Sequence, residues 1–100
     1  MPCHGGVPRL LGAETEPFMR ELRGWEIVED QHLSKRYEFT NYAQALEFVN
    51  RASRIAEREG HHPDITFGWG YAHFRIHTHA IGGLSESDFI LAAKIDELGD

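Results

Sequence analysis

Five of the seven histidines in this 100-residue chain fall between positions 61 and 79. Histidine is the side chain whose unperturbed pKa lies closest to neutrality, so one ring can accept a proton while another donates one. This stretch is therefore where proton-transfer chemistry is sought. Its pieces are His61 and His62 directly before Pro63, then His73, then His77 and His79. A carboxylate nearby can hold a ring in one tautomer or raise its pKa, and Glu57 and Asp88 are the candidates. Asp88 also reads as the cap of a helix, which is the stronger reading from the residues alone.

Other chemistries fit less well. His77 and His79 are an i, i+2 pair on one strand face and, with His73, could hold a metal. The sequence offers no cysteine or clear acidic ligand beside them, and Arg75 on the same face repels a cation, so no metal is assigned. His4, His32 and His73 read as ordinary surface histidines. Cys3, the single cysteine, has no partner for a disulfide within the chain and sits near the terminus. No serine stands in a G-x-S-x-G turn, and no glycine-rich phosphate loop occurs.

Composition narrows the partners. One hundred residues suit one domain, read as spanning 1–100. Ten basic residues against 16 acidic ones give a net charge of −6, so nucleic acid and anionic lipid are not expected partners. No basic segment leads into an apolar run at the N-terminus, and no apolar stretch is long enough to span a bilayer. A reducing cytoplasm is the expected location.

The elements that must position the histidines follow from periodicity. Residues 1–12, with three glycines and two prolines, read as a flexible lead-in. Thr15 caps a short helix carrying Phe18, Met19 and Leu22, and Gly24 stops it. Alternation from Trp25, with a turn at Asp30-Gln31-His32, predicts a hairpin returning through Lys35, Tyr37 and Phe39. Thr40 or Asn41 caps the clearest helix, with an apolar stripe of Tyr42, Ala45, Leu46, Val49, Ala52 and Ala56, widened by Phe48 and Ile55 and ended by Gly60. A second hairpin alternates through Ile65, Phe67 and Trp69, then Tyr71 to Thr78. A last helix starts with a capping-box-like Ser85 and Asp88. Helix, hairpin, helix, hairpin, helix predicts a two-layer α+β fold, a four-stranded antiparallel sheet with helices packed on one face. A hairpin returns close to its origin, so His79 is expected beside His61 and His62.

These residues resemble a known family. The run Glu57-x-x-x-His61-His62-Pro63, Trp69, His79 ten positions later and Asp88 nine beyond is similar to the signature of pterin-4a-carbinolamine dehydratases. Gly24-Trp25 and Gly82-Gly83-Leu84-Ser85-x-x-Asp88 extend the likeness over roughly residues 15 to 98. The resemblance implies a hydro-lyase that dehydrates 4a-hydroxytetrahydropterin, the by-product of aromatic amino acid hydroxylases, to quinonoid dihydropterin. It implies no metal or other cofactor, the pterin being the substrate, and a homodimer or homotetramer with a hydroxylase as functional partner. His61, His62 and His79 would be the catalytic set, with His62 and His79 as the acid–base pair and His61 binding the pterin. Glu57, Trp25, Asp88 and His77 would adjoin the substrate, although Trp25 also reads as core and Trp69 as packing. Arg75, His77 and Gly60 depart from what the resemblance leads one to expect. A non-catalytic dimerisation or assembly cofactor is the rival reading.

Overall fold

Alternating apolar residues build a four-stranded antiparallel sheet in the order β1-β2-β4-β3, formed by β1 (Glu26–Val28), β2 (His32–Glu38), β3 (Asp64–Gly68) and β4 (Tyr71–Ile76). The structure, a computed structural model, describes residues 9–98, so Cys3 and His4 lie outside it. The register pairs Leu33 with Ile76, Lys35 with Phe74 and Tyr37 with Ala72, while Ile65 and Phe67 face Phe74 and Ala72 from the other side. Side chains alternate across a strand, so all of these share one face. Helices α1 (Glu16–Met19), α2 (Tyr42–Glu59) and α3 (Glu86–Leu98) complete the two-layer α+β fold, with α2 packed against β3, β4 and α3. No helix among the described residues is long and apolar enough to cross a membrane.

Helix α2 starts where Asn41, rather than Thr40, accepts a hydrogen bond from the Gln44 amide at 2.9 Å. The Gln44 side chain accepts in return from the Thr40 amide, closing the first turn. Its buried face is Ala45, Phe48, Val49, Ala52, Ile55 and Ala56. Tyr42 and Leu46, expected on that stripe, are exposed. Each helical residue turns by about 100°, so a stripe centred on Ala45, Phe48 and Ala52 leaves Leu46 on the flank. Tyr42, in the first turn, lays its ring against Phe67 instead.

Four other expectations are corrected. The first helix is a single turn after a 3₁₀ turn at Gly12–Thr15, and it ends well before Gly24. Thr15 does not cap it, because its hydroxyl donates to the Gly12 carbonyl. Residues 9–12, read as part of a flexible lead-in, are held where the Leu10 amide donates to the Leu84 carbonyl at 2.8 Å. The first hairpin reverses at Glu29-Asp30, both with positive φ (54° and 56°), so His32 begins β2 instead of ending the turn.

One polar side chain organises this core without having been singled out in the sequence. The carboxylate of Asp96, near the end of α3, accepts from Trp25 Nε1 (3.0 Å), Tyr37 Oη (2.6 Å), Lys35 Nζ (2.8 Å) and the Arg23 amide (3.2 Å). These donors come from β2 and from the segment that leads into β1. Lys35 is on the inner sheet face, its ammonium 4.4 Å from the centre of the Tyr37 ring, where cation–π attraction adds to the ion pair. Burial by itself pushes the Asp96 pKa up, but the four hydrogen bonds outweigh it and hold the group below its ordinary value.

Asp96→Ala is expected to cost about 3–5 kcal/mol, since it takes the countercharge from a partly buried cation and an acceptor from two ring donors. A carboxylate with a depressed folded pKa stabilises the fold above its unfolded value, near 3.8, and that contribution fades as the pH falls through the folded value. Urea unfolding of wild type and variant at neutral pH and near pH 2.5 is expected to show the gap narrowing in acid.

Candidate active site

The centre of the histidine corner is a carboxylate with no access to solvent. Asp88, 0% exposed in the first turn of α3, accepts from His61 Nε2 (2.5 Å), Thr78 Oγ1 (2.9 Å) and the Ser85 amide (2.8 Å). Since an ionised carboxylate only accepts, the Thr78 hydroxyl points its proton at Asp88, and its oxygen receives the Ser85 hydroxyl at 2.8 Å. The expected capping box is thus half kept. Asp88 reaches back to the Ser85 amide, while the Ser85 side chain turns to Thr78.

Each partner arrives for a local reason. Gly60 takes φ +69° at the end of α2, and the amides of Gly60 and His61 donate to the carbonyls of Glu57 (3.2 Å) and Ala56 (3.1 Å). This is the Schellman arrangement, in which a left-handed glycine turns the next residue back over the helix end. His61, 1% exposed, is thereby directed inward. On β4 the ladder ends at Ile76, two residues earlier than expected, because Thr78 leaves it to donate inward to Asp88 and to pair with Gly83. His79 opens a short 3₁₀ turn to Ile81.

The two remaining catalytic candidates flank this knot, each one residue outside it. His62 is 63% exposed and bonds through Nε2 to Glu57 Oε1 at 2.8 Å, across the end of α2. His79 is exposed and makes a 3.1 Å contact from Nδ1 to His77 Nε2. The site is therefore two solvent-facing imidazole pairings, Glu57–His62 and His77–His79, on either side of a buried Asp88–His61–Thr78 tie. His77 has its pKa lowered, first by burial and then by His79, against the opposing charges of Asp64 and Asp88. His73, farther along the same outer face, is lowered by burial and by Arg75 and Arg36. The Arg75 guanidinium can only donate to His73 Nδ1 (3.3 Å), so His73 Nε2 carries the proton shared with Ser34 Oγ (2.7 Å).

Several expectations about substrate contact are corrected. Asp88 and His61, expected beside the substrate, face inward and hold the corner together. Trp25, 5% exposed, is core, with its indole committed to Asp96. Asp96 lies eight residues after Asp88 on α3, about 12 Å along the helix. Trp69, expected to pack, is 71% exposed at the tip of the β3–β4 hairpin. Asp64, passed over in the sequence, stands with His77 and His79, one ligand atom from each lying within 4.8 Å of the others. Its signal was its place two residues after His62 on the strand that pairs with β4.

A two-layer α+β fold with a buried Asp–His tie between exposed histidines defines the class of site. The family model for pterin 4 alpha carbinolamine dehydratase matches residues 8–98. A protein of Rubrobacter xylanophilus named for this dehydratase is 53% identical over 98 residues, covering 98% of this chain and 92% of its own. One of Rickettsia bellii is 50% identical over 99 residues, covering 98% and 88%. A transcriptional coactivator/pterin dehydratase from Brucella melitensis superposes with a TM-score of 0.87 at 26% identity, over 93% of this chain and all of that one. A pterin dehydratase-like protein described as a RuBisCO assembly factor in the alpha-carboxysome superposes with a TM-score of 0.66 at 28% identity, over 79% and 93%. The chain belongs to the pterin-4a-carbinolamine dehydratase family and is a hydro-lyase of that kind.

Two outcomes follow from this geometry. Gly60→Ala, whose Cβ meets no atom within 4 Å, is expected to cost about 1–2 kcal/mol from left-handed strain alone, read by chemical unfolding. In NMR titrations His77 is expected to protonate below 6.5, and His79→Ala to move its midpoint up only part of the way, because burial remains. A histidine with a lowered folded pKa is protonated first in the unfolded chain, so the fold loses stability as the pH falls from about 6.5 through the folded value.

Proposed function

We propose that the chain dehydrates 4a-hydroxytetrahydropterin to quinonoid dihydropterin by general acid–base catalysis, with His62 and His79 as the proton-transfer pair. The observation that carries this reading is the exposure of these two imidazoles on either side of one rigid, buried tie. In the reaction the C4a hydroxyl departs as water on receiving a proton from an imidazolium. N5 then gives its proton to a neutral imidazole, and the freed electron pair forms the C4a=N5 double bond. No electron acceptor is required. Positioned acid–base groups contribute roughly 10²–10⁴-fold, enough for a step that also proceeds unaided. The proposal requires no metal or other cofactor.

Glu57 orients His62 through the 2.8 Å hydrogen bond between their side chains, in place of a contact with the substrate. His61 is a positioning residue, held by Asp88 so that the backbone presents His62 outward. Recycling of pterin for an aromatic amino acid hydroxylase in the cytoplasm, by a homodimer or homotetramer, belongs to the same reading. Exposed Leu46 on α2 and Ile90 on α3 favour a helix-mediated assembly. The likeness to an assembly factor favours a second reading, a binding protein without dehydratase activity.

Stopped-flow absorbance on freshly generated 4a-hydroxytetrahydropterin, with chelator present, tests both. Wild type is expected to accelerate dehydration, and His62→Ala and His79→Ala each to lose on the order of 10²-fold. Asp88→Asn is expected to lower the rate by loosening His61, without removing a group that touches substrate. A wild type no faster than the spontaneous reaction favours the binding protein.

A further inference from the structure

The pair His77 and His79 has more donor capacity than proton transfer uses. Their facing nitrogens, Nε2 and Nδ1, are 3.1 Å apart. Two nitrogens bound to one tetrahedral zinc ion at 2.0–2.1 Å sit about 3.3 Å from each other, so this spacing is already that of a coordination edge. The third vertex is Asp64, at the start of edge strand β3, with a carboxylate oxygen within 4.8 Å of both rings' ligand atoms. All three side chains are exposed or half-buried, so an ion can reach them from solvent. Arg75 is the register partner of Asp64 and would oppose a cation there, yet its guanidinium is directed to His73 Nδ1. Two imidazoles and a carboxylate, with a fourth position left to water, suit a borderline divalent cation.

We propose that Asp64, His77 and His79 form a binding site for a divalent transition-metal ion of the Zn²⁺ class, and that its occupancy inhibits the enzyme by taking His79 out of proton transfer. Binding takes up the two facing nitrogens, so the proton shared between the rings moves to the far nitrogen of its own ring and both imidazoles ligate in their neutral form. The inhibitory consequence rests on the catalytic reading of His79, whereas the site itself does not. The ion is a brake on this chemistry and no part of the reaction.

Isothermal titration of the purified full chain with Zn²⁺ alone reads the site directly. One ion per chain is expected, with Asp64→Ala and His77→Ala each weakening binding by more than ~10-fold, the least that losing even an outer-sphere partner costs. Circular dichroism checks that the variants are folded. Absence of stoichiometric binding, or affinity unchanged in folded Asp64→Ala, overturns the site. In the stopped-flow assay, Zn²⁺ is expected to suppress wild-type dehydration and added chelator to restore it. Asp64→Ala, which lies outside the proposed acid–base pair, is expected to keep its rate at Zn²⁺ concentrations that suppress wild type. A wild type saturated with Zn²⁺ yet undiminished in rate overturns the inhibition, provided His79→Ala is itself impaired. If His79→Ala is as fast as wild type, the acid–base assignment is what has failed, and the titration still decides the site.

Discussion

A carboxylate sealed from water must have its lone pairs satisfied, and the corner around Asp88 is arranged to do so. The three donors come from the end of α2, the end of β4 and the residue capping α3. None of those segments can move without leaving a buried charge short of a partner, at a cost of several kcal/mol. The penalty is what ties three chain ends into one point. His62 and His79 gain their positions from it without contacting it, each being the next residue along from a donor.

Helix α3 carries the same device at both ends of its buried stripe. Asp88 fastens the histidine corner, and Asp96 fastens the first hairpin through Trp25, Lys35 and Tyr37. Between them lie Leu91, Ala92 and Ile95, which supply hydrophobic burial but little directional information. Apolar contact brings the layers together, and the two carboxylates set the register in which they meet. The division suits a small chain, whose core is limited and whose site needs rings held to fractions of an ångström.

The outer sheet face beside the site is crowded with donors whose charges hinder one another. His73 and His77 are both held toward the neutral form, by burial and by neighbouring cations or rings. A neutral imidazole binds metals, so the surroundings of His77 favour the metal arrangement that competes with the chemistry proposed for this corner. Which prevails is a matter of the metal available, since His79 belongs to both arrangements.

Local sequence determined the secondary structure wherever the physics is local. Asn41 and Gln44 close the start of α2, Gly60 ends it, and the alternation from Ile65 to Ile76 makes a hairpin, because caps, left-handed turns and pleats need only neighbouring residues. The histidine cluster was also legible, as was a hairpin that returns its chain toward its origin, where Thr78 and His61 meet on Asp88. Burial was not. Adjacent identical residues, His61 and His62, take opposite fates, and only the turn at Gly60 against α3 decides which is inside. Trp25 could have bordered a pocket until Asp96, 71 residues away, claimed its indole. Asp64 had no visible partner until the sheet placed it beside His77 and His79. Such outcomes depend on contacts between distant segments, and a charge or ring acquires its role only when tertiary packing sets what faces it.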